Sequence, residues 1–444
     1  MAKYESVNSI LAQLNNAQWW PAEVLRRHQH GLLAQLVRHA QATVAWYAGR
    51  LDVGSLFTDN AFDADAWRSV PFLTRTDIQQ SGSDLHSTQV PPEHGRITRQ
   101  WTGGSTGTPV VVLTTELALR FWIANTLRKH AWQGTDLSQK LAVIRYRTDN
   151  AADPPDGEGL STWGTATVGR VATGPCVVLN VKSTTSEQAV WLVREQPAYL
   201  QTYPSVAHAL ARHFQESGLS LANLRQVLTY GEVLESPVRA ACRDAWGADV
   251  VDAYSANEVG HIAVQCAADR PYHVQAEHLL VEVLDDEGNS CQPGHTGRVV
   301  VTDLFNYAMP LVRYDIGDYA EVGEVCSCGI NLPTLCSVVG RQRNMFVLPS
   351  GDTIWPALRV DPLDALGPEL PIRQFQVAQV SRTQLEARLV SERPLAEAEQ
   401  GAIRKMLAEA TSDEFDVRFV YVDEIPRSPT GKFEDFRCEL RRPE

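Results

Sequence analysis

Apolar positions change period several times along the chain, and each change predicts a different element. From Pro21 to Tyr47, Val24, Leu25, Leu32, Leu36, Val37 and Ala40 recur at near-helical spacing with Arg and His between them. That pattern predicts an amphipathic helix packed on the body of the protein. His28, His30 and His39 fall on its polar side, where solvated imidazoles are expected rather than ligands. Between residues 110 and 255, short runs rich in Val, Leu and Tyr alternate with helical ones. Residues 141–147, 176–181, 198–203, 224–230 and 248–254 read as strands, and 116–133 and 205–217 as helices. Ser205 is the expected N-cap of the second helix and Gly218 its stop. Strand–helix alternation predicts a largely parallel sheet with helices on its faces, whose ligands bind beyond the carboxyl ends of the strands.

After residue 275 the period shortens. HLLVEVLDDEGN, GRVVVTDL and MPLVRYDIGDYAEV read as strands joined by Asp, Gly and Asn turns. Beyond Gly340, strands around FQVAQV and FDVRFVYV flank the helix LAEAEQGAIRKMLAEA. The expected class is α/β: a large N-terminal domain over 1–340 with mainly parallel sheets and a β-rich subdomain at about 275–340, then a small mobile α+β domain over 341–444.

Composition narrows the function. With 444 residues, 44% hydrophobic and 21% charged, the chain can bury a sizeable core. A net charge of −13 supplies no attraction toward phosphodiester backbones or anionic lipid, so neither nucleic acid nor membrane is an expected partner. The opening MAKYESVNSI has no apolar signal region and the longest apolar runs are too short for a bilayer, which predicts a cytoplasmic protein. Eight cysteines are too few for a disulfide scaffold, so the Cys326–Cys328 pair points to metal or thiol chemistry.

The sharpest local feature is Thr102-Gly103-Gly104-Ser105-Thr106-Gly107-Thr108-Pro109, directly before an apolar run. Glycines free the backbone, and successive amides with neighbouring hydroxyls can surround phosphate oxygens. No Gly-Lys-Ser/Thr closes the loop, so it is not a Walker A sequence, and a hydroxyl-rich surface turn is the plain alternative. The loop resembles the phosphate loop of the adenylate-forming superfamily. Tyr254-Ser255-Ala256-Asn257-Glu258 resembles that family's Tyr-Gly-x-Thr-Glu segment, Arg313 to Asp318 its Tyr-Arg-x-Gly-Asp region, Gly340-Arg341 its hinge, and Pro429-Thr430-Gly431-Lys432 its terminal Gly-Lys segment. Five segments in family order make the resemblance specific where each alone is weak. Tyr203-Pro204-Ser205, Thr229-Tyr230-Gly231-Glu232 and Met309 to Tyr314 bring it closest to the branch of phenylacetate-CoA ligases, coenzyme F390 synthetases and capsule-biosynthesis relatives.

The resemblance implies AMP-forming activation of a carboxylic acid with Mg-ATP, followed by transfer of the acyl group to coenzyme A. An amine acceptor is the runner-up, and a nucleotide-binding protein without turnover is the alternative of another class. A homodimer is compatible with it. ATP or AMP is expected on Thr102, Gly103, Gly104, Ser105, Thr106, Gly107, Glu232, Tyr254, Ser255, Asn257, Asp318 and Arg341. Within that set Tyr254 stacks on adenine, Asn257 touches the α-phosphate and Asp318 receives the ribose hydroxyls. Glu258 holds magnesium, and Lys432 reaches the α-phosphate and the substrate carboxylate. Those parts suit the chemistry, because an anion attacking a phosphate needs amide donors, a divalent cation and a movable positive charge. The same branch implies a structural zinc on Cys266, His273, Cys326 and Cys328, a closed set of soft and borderline ligands, with Cys336 or His278 able to replace one of them. Two departures stand out. Arg343 and Asn344 follow Gln342 where the family's hinge is acidic, and Ser161 to Gly164 lacks the aromatic pattern of a phenylacetate pocket, so the acid is not required to be phenylacetate.

Overall fold

The computed structural model describes residues 6–58, 61–102, 110–147, 150–267, 271–341, 346–348, 353–354, 371–411, 415–426 and 436–440. Two helices come first, α1 (Val7–Ala17) and α2 (Ala22–Thr43). A capping box between Ser6 and Ser9 starts α1. The helix expected through Tyr47 stops at Thr43, where Val44 turns extended (φ −118°, ψ 115°) and Ala45–Tyr47 forms a single 3-10 turn. Its histidines are not solvated as expected. His28 Nε2 lies 3.1 Å from the Glu277 carbonyl, His39 Nε2 3.0 Å from the Tyr307 carbonyl, and the His30 ring stacks on Phe62 at 4.2 Å. Distant segments fold over the polar stripe of α2, which helical periodicity does not reveal.

A capping box between Thr74 and Asp77 opens α3 (Arg75–Ser81). Strands β1 (Ile97–Thr102) and β2 (Val110–Thr115) then pair antiparallel, with Thr102 opposite Val110, so they bracket residues 103–109. α4 (Glu116–Trp132) follows at once, the Thr115 hydroxyl accepting the Ala118 amide at 3.2 Å. The expected alternation comes next: β3 (Leu141–Arg145), β4 (Cys176–Asn180), α5 (Thr185–Glu195), β5 (Tyr199–Thr202), α6 (Pro204–Ser217), β6 (Gln226–Tyr230) and α7 (Ser236–Trp246). Ser205 is not the N-cap. Pro204 takes the first helical position, where its fixed φ suits the helix and its missing N–H costs nothing, and Tyr203 becomes the boundary. Gly218 ends α6 with φ +67° as expected.

The later strands are β7 (Asp249–Ala256), β8 (Gly260–Gln265), β9 (Tyr272–Val274), β10 (Leu279–Leu284), β11 (Thr296–Asp303), β12 (Tyr314–Val322) and β13 (Thr334–Arg341). β14 (Ile372–Gln379), β15 (Gln384–Ser391), α8 (Glu397–Thr411), β16 (Asp416–Tyr421) and β17 (Phe436–Cys438) complete the chain.

These elements form two compact units. The first contains Met1–Leu141, Gly159–Val177 and Val251–Val339; the second contains Ala142–Glu158, Val178–Val250 and Gly340–Glu444. In the first, the strands run in the order β10-β11-β12-β13-β9-β8-β7, and every pair from β7 to β8, β8 to β9, β9 to β13 and β10 to β12 is antiparallel. Antiparallel pairing therefore begins between β7 and β8. Only Asn257, Glu258 and Val259 separate β7 from β8, too short a link for the crossover that parallel neighbours require.

Two buried arginines fasten this unit. Arg128 on α4, 1% exposed, pairs with Glu277 and also reaches the Asn125 and Gln275 side chains. Arg313, left-handed at φ +49°, donates to the carbonyls of Trp67, Arg68 and Val70 and pairs with Glu282 at 3.4 Å. Charge-assisted bonds of this number offset the cost of about 1–3 kcal/mol for a left-handed non-glycine residue.

In the second unit the order is β6-β5-β3-β4, with β5 and β6 parallel and α6 as their crossover. A separate sheet, β16-β15-β14-β17, packs Phe375, Leu385 and Leu389 with Ile403 and Leu407 of α8 in a core of its own. Among the described residues no helix is long and apolar enough to cross a membrane.

Candidate functional site

In the first unit two distant family-like segments meet. Tyr254, near the end of β7, donates its phenolic hydroxyl to Asp318 Oδ2 at 2.8 Å. Tyr254 is 8% exposed, so its ring is held by the core while its polar tip meets the carboxylate. Asp318 follows Gly317, whose φ of +79° sets a local turn inside β12, and the Gly317 amide donates to Asp315 Oδ1 at 2.9 Å. Burial raises the Asp315 carboxyl above its ordinary range, while Arg298 at 3.4 Å opposes the shift.

Ser255 lies one residue on, where a bulge shifts the register between Tyr254 and Ser255. Asn257 is exposed in the turn after β7, and Glu258 beside it is buried. Arg75, at the first position of α3, holds its guanidinium 3.5 Å from Glu258 Oε1. Glu258 is the more buried partner, 8% exposed by side chain against 22% for Arg75, and 3.5 Å is the long end of hydrogen-bond range. In the second unit, Glu232 Oε2 accepts the Ser205 backbone N–H at 3.0 Å. It thereby satisfies a free amide in the first turn of α6, where a negative charge is favoured.

Gly103, Gly104, Ser105, Thr106, Gly107 and Lys432 lie outside the described residues, as do Arg343 and Asn344; the side chains of Thr102 and Arg341 do too. Thr102 ends β1 and Arg341 ends β13.

The second constellation is complete in the first unit. Cys266 follows β8, His273 sits on β9, and Cys326 and Cys328 lie between β12 and β13, with one potential ligand atom from each within 4.8 Å of the others. Cys326 Sγ is 3.7 Å from Cys266 Sγ, and Cys328 Sγ is 3.3 Å from His273 Nε2. A tetrahedral ion with Zn–S bonds of about 2.3 Å separates its sulfurs by about 3.8 Å, close to the Cys326–Cys266 distance, so the chemistry and spacing of the donor set suit zinc. The Ile330 amide donates to Cys328 Sγ at 3.4 Å, as a thiolate needs. Burial pushes the Cys326 thiol up to about 12, a setting that disfavours a thiolate unless a cation accompanies it. His278 is not in the group; it stacks on Phe121 at 5.2 Å, and Cys336 is exposed.

The model of the family described as AMP-binding enzyme matches residues 26–305, more than half of the chain. The chain belongs to the AMP-binding enzyme family. Its curated relatives include a phenylacetate-coenzyme A ligase of Thermus thermophilus, 26% identical over 345 residues, covering 76% of this chain and 74% of the relative. Another, from Pseudomonas putida, carries the same description and is 24% identical, over 75% of this chain and 74% of its own. They place this AMP-binding enzyme in the phenylacetate-CoA ligase-like branch of the adenylate-forming superfamily. Its fold matches that of 2-hydroxyisobutyryl-CoA ligase crystallised in the postadenylation state with 2-HIB-AMP, at a TM-score of 0.71 and 18% identity over 94% of this chain and 90% of that one.

Sequence reasoning missed Arg75 and the partner of Glu232. Arg75 had one legible signal, the Thr74-x-x-Asp77 capping box that puts it at a helix start, but its meeting with Glu258 is tertiary. The bond from the Ser205 amide to Glu232 was hidden because Ser205 reads as a cap rather than as an amide needing one.

Proposed function

We propose that the protein is an ATP-dependent, AMP-forming acyl-CoA ligase. The substrate carboxylate attacks the α-phosphorus of ATP and pyrophosphate leaves; the sulfur of coenzyme A then attacks the acyl carbon and AMP leaves. The observation that carries this reading is the Tyr254–Asp318 hydrogen bond, which joins two family-ordered segments 64 positions apart, in a chain whose family match spans residues 26–305.

Asp318 receives the ribose hydroxyls once Tyr254 releases it, Tyr254 covers the adenine, and Asn257 meets the α-phosphate. Residues 102–107 cradle the phosphates with backbone amides, and Lys432 neutralises the attacking carboxylate and the α-phosphate. Glu258 holds the magnesium that travels with ATP, with Arg75 as its partner until then. Magnesium supplies charge neutralisation of the phosphates. The switch between compact units at Val339 and Gly340, with φ +110° at Gly340, supports a hinge there that lets the 341–444 domain present Lys432 and then withdraw it. Cys266, His273, Cys326 and Cys328 hold a structural zinc that ties the β8–β9 hairpin to the β12–β13 loop, with no open position for chemistry.

Carboxylate-dependent exchange of labelled pyrophosphate into ATP tests the reading. Exchange should appear with a suitable acid and fall by at least about 10²-fold in Lys432→Ala. Its absence across a broad acid panel sinks the ligase reading in favour of nucleotide binding without turnover, and product mass with coenzyme A or amines supplied in turn decides the acceptor.

A further inference from the structure

Asp318 owes its place to an irregularity in its own strand. Along the β11–β12 ladder Arg298 faces Tyr319 and Val300 faces Asp315, so two steps on β11 are matched by four on β12. Ile316, Gly317 and Asp318 fill that gap as a bulge, a distortion that re-aims side chains away from the regular pleat. Gly317, at φ +79°, lies at its centre; a Cβ there would meet nothing within 4 Å, so the left-handed backbone rather than crowding calls for glycine. A bulge interrupts the regular ladder, and its shape then rests on whatever fastens its two ends.

One ion pair spans those ends. Arg298 sits opposite Tyr319, beyond the bulge, and its Nη1 reaches back to Asp315 Oδ2 before it, 3.4 Å away. The other oxygen, Asp315 Oδ1, accepts the Gly317 amide at 2.9 Å inside the bulge. A single carboxylate thus ties the guanidinium to the glycine turn, and Asp318 is the next residue.

Both partners are themselves held. The Asp315 amide donates to the Leu73 carbonyl at 2.9 Å, and the Leu73 amide to the Arg313 carbonyl at 3.0 Å. Arg298 Cζ lies 5.4 Å from the centre of the Phe72 ring, within reach of a cation–π contact. The two side chains are 25% and 16% exposed, so salt screens this pair less than a surface one.

We propose that Arg298 and Asp315 are positioning residues for the nucleotide: Arg298 clasps Asp315 across the bulge, and Asp315 fixes the Gly317 turn that aims the Asp318 carboxylate at the ribose hydroxyls. Arg298 acts through Asp315 rather than on the nucleotide itself. This rests on the ligase reading above and on Asp318 as ribose acceptor, and the experiment separates their failures.

Pyrophosphate release is measured with ATP, 2′-deoxyATP and 3′-deoxyATP for wild type, Asp318→Ala, Arg298→Met and the near-isosteric Asp315→Asn. Wild type should favour ATP over at least one deoxy analogue by about 10²-fold or more in kcat/KM, as a site built to bond a hydroxyl does. Asp318→Ala should abolish that preference. Arg298→Met should cut it by at least about tenfold, because a slightly misplaced positioning group is costly, while the deoxy analogue changes less than about threefold. Asp315→Asn keeps an oxygen for the Gly317 amide but drops the charge, and should cut the preference about threefold. A purely structural role would lower all three nucleotides equally. A preference left intact by either variant, while Asp318→Ala loses it, overturns the proposal and leaves Asp318 the ribose acceptor; should Arg298→Met fail to fold, Asp315→Asn decides alone. No preference in wild type, or one that survives Asp318→Ala, removes the ribose assignment and the proposal with it. No pyrophosphate from any acid in a broad panel removes the ligase reading as well.

Discussion

The Cys/His cluster and the Tyr254–Asp318–Glu258 region lie in the same unit, yet their side chains are treated in opposite ways. Around Cys266, His273, Cys326 and Cys328 the donors crowd within 4.8 Å of one another. In the other region each charged group has a protein partner that can be exchanged: the Tyr254 hydroxyl for Asp318, and a loose guanidinium at 3.5 Å for Glu258. Donors crowded without a counter-charge are the arrangement in which metal binding couples to folding. A hydrogen bond to a carboxylate contributes about 1.5–3 kcal/mol net, an amount that a bound nucleotide or cation can replace.

The largest expected effect tests the first half of that contrast. Protein prepared without added metal should contain about one zinc per chain, and Cys328→Ser should lose it with a drop in unfolding free energy of at least about 5 kcal/mol, since structural zinc sites contribute folding energy outright. Elemental analysis with denaturant unfolding reads both. Absence of zinc from the wild type, with the variant equally stable, would erase the distinction between the regions.

A smaller effect sets the pH background against which both regions are compared. Asp303 ends β11, accepts the Phe305 amide at 2.9 Å, and is pushed up to about 7 by burial. Its folded form holds a proton more tightly than the unfolded chain, so this contribution is complete below about pH 4 and is lost as pH rises through about 7. Stability should decline by up to about 4 kcal/mol between pH 4 and 9, and Asp303→Asn should flatten the decline. An unchanged slope in the variant would assign it to other groups.

The smallest effects belong to the exchangeable partners. Tyr254→Phe and Arg75→Ala should each change unfolding free energy by no more than about 3 kcal/mol while shifting KM for ATP by roughly fivefold. Unfolding as severe as that of Cys328→Ser would show that these residues are structural and collapse the contrast.

Much of the architecture was legible because it is local. Strand runs such as 141–147 and the α4 and α8 helices follow from residue period, and Gly218 from the left-handed turn a helix end requires. The grouping of Cys266, His273, Cys326 and Cys328 was legible through the family resemblance, and the fold brings those four together without Cys336 or His278. The solvated reading of the α2 histidines failed because amphipathic period marks only which side is polar, not whether distant carbonyls cover it. Where antiparallel pairing begins, between β7 and β8, was not legible because a local strand signal carries no partner direction.

By itself, then, the sequence determined the elements, their order, the ligand chemistry of the cysteines and the family. Only tertiary structure decided that Tyr254 meets Asp318 and that Arg75 attends Glu258. The physical reason is range. Periodicity and capping act over a few residues, whereas a hydrogen bond between positions 64 apart exists only once the core has closed around them.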